Sequence, residues 1–180
     1  MNKIQIKSLL RKQYDSSKPS CGYVINLDNI YNLINRYNPL IIGLYKSMDG
    51  EIDISLLHKV FPNKTFCYPR ITDSIIYFIE VNQNTDFVKH KHYGFLEPLR
   101  NKIVLPDIVF IPGKYFDQHG YRIGFGKGHY DRYISNANKS GLRKKLIGLC
   151  LKENMLNSIV NEATDCRMDY VLYGNQIVKI

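Results

Sequence analysis

Two hydrophobic patterns alternate along the chain. The first has helical spacing. Ile6, Leu9, Leu10 and Gln13 fall at i, i+3, i+4 and i+7 and predict a helix over residues 3–14. Leu27, Ile30, Tyr31, Ile34 and Tyr37 make an apolar stripe over 27–37, and Pro39 stops it. Ile54, Leu57, Val60 and Phe61 predict a helix over 53–61. Tyr130, Tyr133, Ile134 and Ala137 predict another over 128–138, and a short one is expected around 153–160. The second pattern is the unbroken apolar run of strand length: residues 40–45, 65–68, 74–81, 107–111 and 145–151. Such runs suit strands buried on both faces of a parallel sheet. Residues 168–173 and 176–180 read as a closing hairpin around Gly174-Asn175.

Helices that alternate with apolar strands predict an α/β protein with a mostly parallel sheet. At 180 residues the chain is expected to be a single domain over 1–180. No apolar run reaches membrane-spanning length, and the first residues carry no apolar signal core, so a cytoplasmic protein is expected. Cys21, Cys67, Cys150 and Cys166 show no Cys-x-x-Cys and no metal-ligand spacing, and read as reduced packing thiols. The stretch Phe87–Tyr93 carries His90 and His92, one face of a polar, partly exposed strand, for which a metal site is the lesser reading.

The formal charge of +9 comes from 25 Lys and Arg against 16 Asp and Glu. The basic residues are scattered, which favours a polyanionic small substrate over nucleic acid. Lys7 and Arg11 lie four apart and share a helix face, by themselves a solvated basic one. Chemistry concentrates in Arg122-Ile-Gly124-Phe-Gly126-Lys127-Gly128-His129-Tyr130-Asp131-Arg132. Glycines let backbone N–H groups approach an anion, and a following helix N-terminus adds positive potential. Lys127 would then be a point charge and Asp131 a magnesium anchor. The spacing is neither a P-loop nor a dinucleotide fingerprint, and a plain Gly-rich turn is the lesser reading. Glu51 follows the strand at 40–45, where open α/β sheets bind ligands; a first-turn acid on the next helix is the alternative.

Taken together, Ile111-Pro-Gly, Phe116-Asp117 and Gly120–Arg132 resemble the signature of the 5-formyltetrahydrofolate cyclo-ligase family, also called methenyltetrahydrofolate synthetases. Lys7-x-x-x-Arg11, Ser47–Ile52, Tyr68-Pro-Arg70, Glu97-Pro98 and Asp165–Leu172 resemble its other landmarks, so the likeness runs from about residue 3 to 173. It implies a three-layer α/β fold with helices on both faces, related to ribose-5-phosphate isomerase and CoA transferases. It implies ATP-dependent closure of 5-formyltetrahydrofolate to 5,10-methenyltetrahydrofolate with magnesium, by a monomer without nucleic-acid or membrane partners. Residue by residue, it implies that Lys7, Arg11, Arg122, Gly124, Gly126, Lys127, Gly128, His129 and Tyr130 bind ATP. Lys127, Arg122 and Tyr130 would serve the reaction, Met48, Glu51 and Tyr130 the folate, and Asp131 and Asp169 the magnesium. His129 stands where the family more often has tyrosine. A sugar-phosphate isomerase on the same fold is the competing expectation, but it has no use for ATP-binding cations.

Overall fold

The structure, a computed structural model, describes residues 2–17 and 27–180. Its elements are α1 (Lys3–Ser17), α2 (Asp28–Tyr37), β1 (Ile41–Gly43), α3 (Leu57–Val60), β2 (Thr65–Thr72), β3 (Ile75–Val81), β4 (Phe87–Lys89) and β5 (Leu96–Pro98). They continue as β6 (Ile108–Pro112), β7 (Tyr115–Asp117), β8 (Arg122–Ile123), α4 (His129–Lys139), β9 (Lys145–Cys150), β10 (Met155–Leu156), β11 (Tyr170–Tyr173) and β12 (Gln176–Lys179).

A seven-stranded sheet in the order β12-β11-β9-β6-β1-β2-β3 forms the frame. Its five inner strands run parallel; β12 and β3 add antiparallel edges. The fold is therefore mixed α/β around a large, mostly parallel sheet. The apolar runs account for it: Ile108, Val109, Phe110 and Ile111 of β6 are all buried. Pleating divides them. Ile108 and Phe110 join a cluster with Ile30, Leu33 and Ile34 of α2, whereas Val109 and Ile111 join one with Ile134 of α4. Burying one such side chain contributes about 2 kcal/mol. Asp107 fixes the start of the sheet, its carboxylate accepting from the Leu40 and Ile41 N–H groups at 2.8 and 2.9 Å.

Several expectations change. Helix α1 runs on through Asp15, Ser16 and Ser17, beyond residue 14 where the sequence pattern ended it; Cys21 lies outside the described residues. The helix expected over 53–61 shrinks to Leu57–Val60. Asp53 turns the chain by accepting from Ser55 N–H at 2.8 Å, and Ile52 and Ile54 are buried before the helix begins. The helix expected around 153–160 is a single 3₁₀ turn, Lys152–Asn154, followed by β10, which pairs with β7. Strand β2 runs through Pro69 to Thr72 rather than closing there. Beyond Cys67 the β1 side of β2 is unpaired, so a missing N–H removes no ladder bond. Residues 87–93 supply only the short β4 of a hairpin with β5, and His90 and His92 pack against neighbouring rings. Among the described residues, Cys67, Cys150 and Cys166 are free thiols.

Candidate active site

A cavity of about 910 Å³ opens beside the glycine run. All but one of the candidate residues line it; Asp169 does not. The chain builds it from four walls.

The first wall is the turn after β1. Met48 to Glu51 is a tight turn closed by Glu51 N–H donating to Met48 O at 2.9 Å, with Gly50 at φ +84°, a conformation that favours glycine. The Glu51 carboxylate accepts from Met48 N–H at 2.9 Å. Two tyrosines fix the turn: Tyr14 donates to Gly50 O at 2.8 Å and Tyr45 to Ile52 O at 2.9 Å. Glu51 is only 6 % exposed. Burial raises its pKa from 4.5 to about 7, against the Met48 N–H bond and the charge of Lys114, which lower it.

The second wall is the glycine run. Asp117 is wholly buried and accepts from the N–H groups of His119, Tyr121 and Ile159 at 3.0, 2.9 and 2.7 Å. That turn feeds Arg122 into β8. Gly126 (φ +90°) and Gly128 (φ +65°) hold left-handed backbone that a side chain would strain, and a Cβ on Gly126 would stand 3.3 Å from Arg11 Cζ. Gly128 then caps the N-terminus of α4. Lys127 is exposed and has no ion-pair partner among the described residues. Exposed glycine backbone, a helix N-terminus and an ammonium without an ion-pair partner among the described residues give this wall the features that suit an anion.

Helix α1 is the third wall. Arg11 Nε donates to Gly124 O at 2.9 Å. Lys7, expected in solvent from the helical pattern alone, is buried and paired with Asp165 and, at 3.3 Å, with Glu162. Lys114 ties the other end of α1 by its ion pair with Asp15 and lies 4.9 Å over the Phe125 ring.

The fourth wall is α4 with the segment 162–166. Arg122 grips Asp131 through both terminal nitrogens, at 3.0 and 3.2 Å, and lies 5.7 Å over the Tyr130 ring. Asp131 also accepts from Cys166 N–H at 3.2 Å. The Tyr130 hydroxyl has its pKa pushed up by burial and by the Glu51 charge, so it remains a hydrogen-bond donor. His129 Nδ1 lies 2.9 Å from Arg132 Nη2 and 3.2 Å from Ser74 O, and its ring meets Tyr93 edge-on at 5.0 Å. Arginine can only donate, so Nδ1 accepts. Burial and then the charges of Arg132, His90 and Lys127 hold this imidazole below its usual pKa, against the Ser74 contact.

Asp169 sits apart, on the sheet. Its carboxylate accepts from Leu146 N–H at 2.9 Å and pairs with Lys145 at 3.2 Å. It and Asp131 are not brought together. No group of three His, Cys, Asp or Glu side chains that could hold a metal occurs among the described residues. The cavity instead offers single carboxylates, Asp131, and Glu162 with Asp165 beside Lys7. That set fits magnesium, which keeps its waters and takes one or two carboxylates together with substrate phosphates. Sequence reasoning passed over Lys46, Tyr93, Phe95 and Glu162 as cavity residues. The aromatic pair ahead of Glu97-Pro98 was the available signal for two of them.

The sequence model of the 5-formyltetrahydrofolate cyclo-ligase family matches residues 29–174. A 5-formyltetrahydrofolate cyclo-ligase of Haemophilus influenzae is 32% identical over 79% of this chain and 80% of its own. A probable 5-formyltetrahydrofolate cyclo-ligase of Caenorhabditis elegans is 36% identical over 40% of this chain, a match that spans only 36% of the relative's length. The solved structure of Aquifex aeolicus 5,10-methenyltetrahydrofolate synthetase superposes with a TM-score of 0.73 at 21% identity, covering 99% of this chain and 93% of that one. That of the Mycoplasma pneumoniae synthetase gives 0.63 at 20% identity, covering 92% and 96%.

Proposed function

The chain belongs to the 5-formyltetrahydrofolate cyclo-ligase family, and on that footing we propose that it uses ATP to close 5-formyltetrahydrofolate into 5,10-methenyltetrahydrofolate, releasing ADP and phosphate. The observation that carries the reading is the meeting, in one cavity, of an anion-binding glycine wall with a buried carboxylate, Glu51. An ATP-dependent enzyme acting on a folate needs both.

A formyl amide oxygen is a poor leaving group. In the proposed reaction it attacks the γ-phosphorus and ADP departs, leaving an iminium phosphate. The N10 lone pair then adds to the formyl carbon, the C–O bond breaks, and phosphate leaves as N10 gives up its proton. Phosphoryl transfer asks the protein chiefly for positioning and charge. Backbone N–H groups of Gly124, Gly126 and Gly128 cradle the phosphates, and Lys127 neutralises charge on the transferred group. Arg11 is held by Gly124 O, and among the described residues no hydrogen bond takes its remaining N–H groups. Lys7 and Arg122, each fixed by carboxylates, present an oriented positive edge. The His129 ring stands behind the phosphate cradle, held by Arg132. Glu51, when ionised, accepts from the pterin's N–H donors, and Met48 and Tyr130 pack on the folate. Magnesium would neutralise the phosphates, with Asp131 as its nearest protein ligand; Asp169 would act only through the sheet it anchors. The chain would work as a cytoplasmic monomer. A three-layer arrangement with helices on both sheet faces belongs to the same reading, and the α2 and α4 clusters support it.

The test is direct. Protein mixed with 5-formyltetrahydrofolate, magnesium and ATP should give the near-ultraviolet absorbance of the methenyl product. Folded protein that yields no ATP-dependent signal would sink the proposal. Within it, Lys127→Ala should cut turnover by about 10²-fold while folate affinity changes little; retained turnover would remove Lys127 from the reaction.

A further inference from the structure

We propose that Lys46 binds a carboxylate of the folate's glutamate tail and sets the enzyme's preference for folates that carry one. The inference rests on the folate reading of the cavity.

Lys46 follows the C-terminal end of β1, two residues before Met48, and lines the cavity half-buried. Its Nζ stands 4.4 Å over the Phe87 ring and 5.3 Å over that of Tyr68. Those rings are themselves fixed. They meet edge-on at 5.4 Å, and the Tyr68 hydroxyl lies 3.0 Å from His58 Nε2. Ring faces replace part of the ammonium's lost hydration and hold it in one place. Among the described residues no carboxylate pairs with it.

A partly desolvated cation left unpaired inside a ligand cavity calls for an anion that the ligand brings. The phosphates are already provided for. Lys7, Arg11, Arg122 and Lys127 stand on α1, β8 and the glycine run, whereas Lys46 stands on the Glu51 wall. A folate has its donor-bearing pterin at one end and glutamate carboxylates at the other. Glu51 is buried and suits the first; Lys46, nearer solvent on the same segment, suits the second. Pro69, Ile71 and Phe95 give the same cavity apolar surface for the aminobenzoyl ring.

The test compares kcat/KM for 5-formyltetrahydrofolate with that for the methylamide of 5-formyltetrahydropteroate, which lacks the glutamate and has no carboxylate of its own. The native ratio should favour the glutamate-bearing substrate by about tenfold or more, the worth of one charge-assisted hydrogen bond. Lys46→Met keeps most of the packing on Phe87 and Tyr68 and should bring the ratio near one; Lys46→Arg should restore most of it. Should Lys46→Met fail to fold, salt provides a second arm on the native enzyme. Added sodium chloride should raise KM for the folate and leave KM for the pteroate methylamide almost unchanged. A ratio that survives Lys46→Met, or equal salt responses, would overturn the assignment. Native enzyme that closes neither substrate would instead overturn the cyclo-ligase reading beneath it.

Discussion

Glu51 is a carboxylate that the fold holds at a cost in stability. Its pKa lies near 7 in the folded protein and near 4.5 in an ordinary environment. Between those values the folded chain holds a proton that the unfolded chain has released, so Glu51 favours folding at low pH and loses that contribution as pH rises through 7. The shift corresponds to about 3 kcal/mol. Glu51→Gln should therefore raise the denaturant midpoint at pH 8, with the gain fading toward pH 5, while weakening folate. A midpoint difference that does not depend on pH would show that Glu51 is not the strained group. Part of this was legible: Glu51 stood out because it follows a buried parallel strand. Its burial was not, since that depends on Tyr14, which reaches the turn from α1, as well as on Tyr45 just after β1. Lys7 is the complementary case. Helical periodicity alone put it in solvent, and only the family resemblance pointed it inward; the structure buries it against Asp165, across 158 residues of sequence.

Elements that follow apolar runs were read well, and those decided by side chains competing for the backbone were not. β6, β9 and the β11–β12 hairpin emerge nearly as their sequences suggest, because continuous Val, Ile, Leu and Phe fit a buried strand. The segment 153–160 has helical spacing, but Asp117 takes the Ile159 N–H and β7 takes its backbone pairing. The β2–β3 turn could not be anticipated either. Asp73 and Ser74 occupy left-handed conformations at φ +49° and +66°, where glycine is usual. Ser74 O accepts from Arg132 at 3.2 Å, so the turn braces the start of α4. Because that contact uses the carbonyl, Ser74→Gly should preserve it and stabilise the protein by about 1 kcal/mol, read as a raised melting temperature. A fall in stability would mean that the Ser74 side chain carries weight of its own.

At the scale of the whole molecule, the turn that leads Arg122 to the cavity is backed by close packing in the core. Gly148 lies in the middle of β9 beneath Phe116, and a Cβ there would approach the Phe116 ring to 2.2 Å. Phe116 is wholly buried in β7, one residue before Asp117, whose carboxylate shapes the turn into Arg122. Gly148→Ala should cost about 1–3 kcal/mol by overpacking and should also lower activity, although position 148 lies outside the cavity. Wild-type stability and turnover in that variant would show the packing around Phe116 to be compliant. The helix α1 has a consequence of another kind, in the order of biosynthesis. Its Lys7 reaches its partners only at residues 162 and 165, and its Arg11 meets Gly124. Strands β1, β2 and β6 can pair while later residues are still being added, and α1 can already meet Gly50, Lys114 and Gly124, but Lys7 has no carboxylate to meet until segment 162–166 is made. A nascent chain halted after α4 would therefore carry the glycine loop with the Lys7 end of its basic helix unanchored, and that wall of the cavity would close only once segment 162–166 had been made.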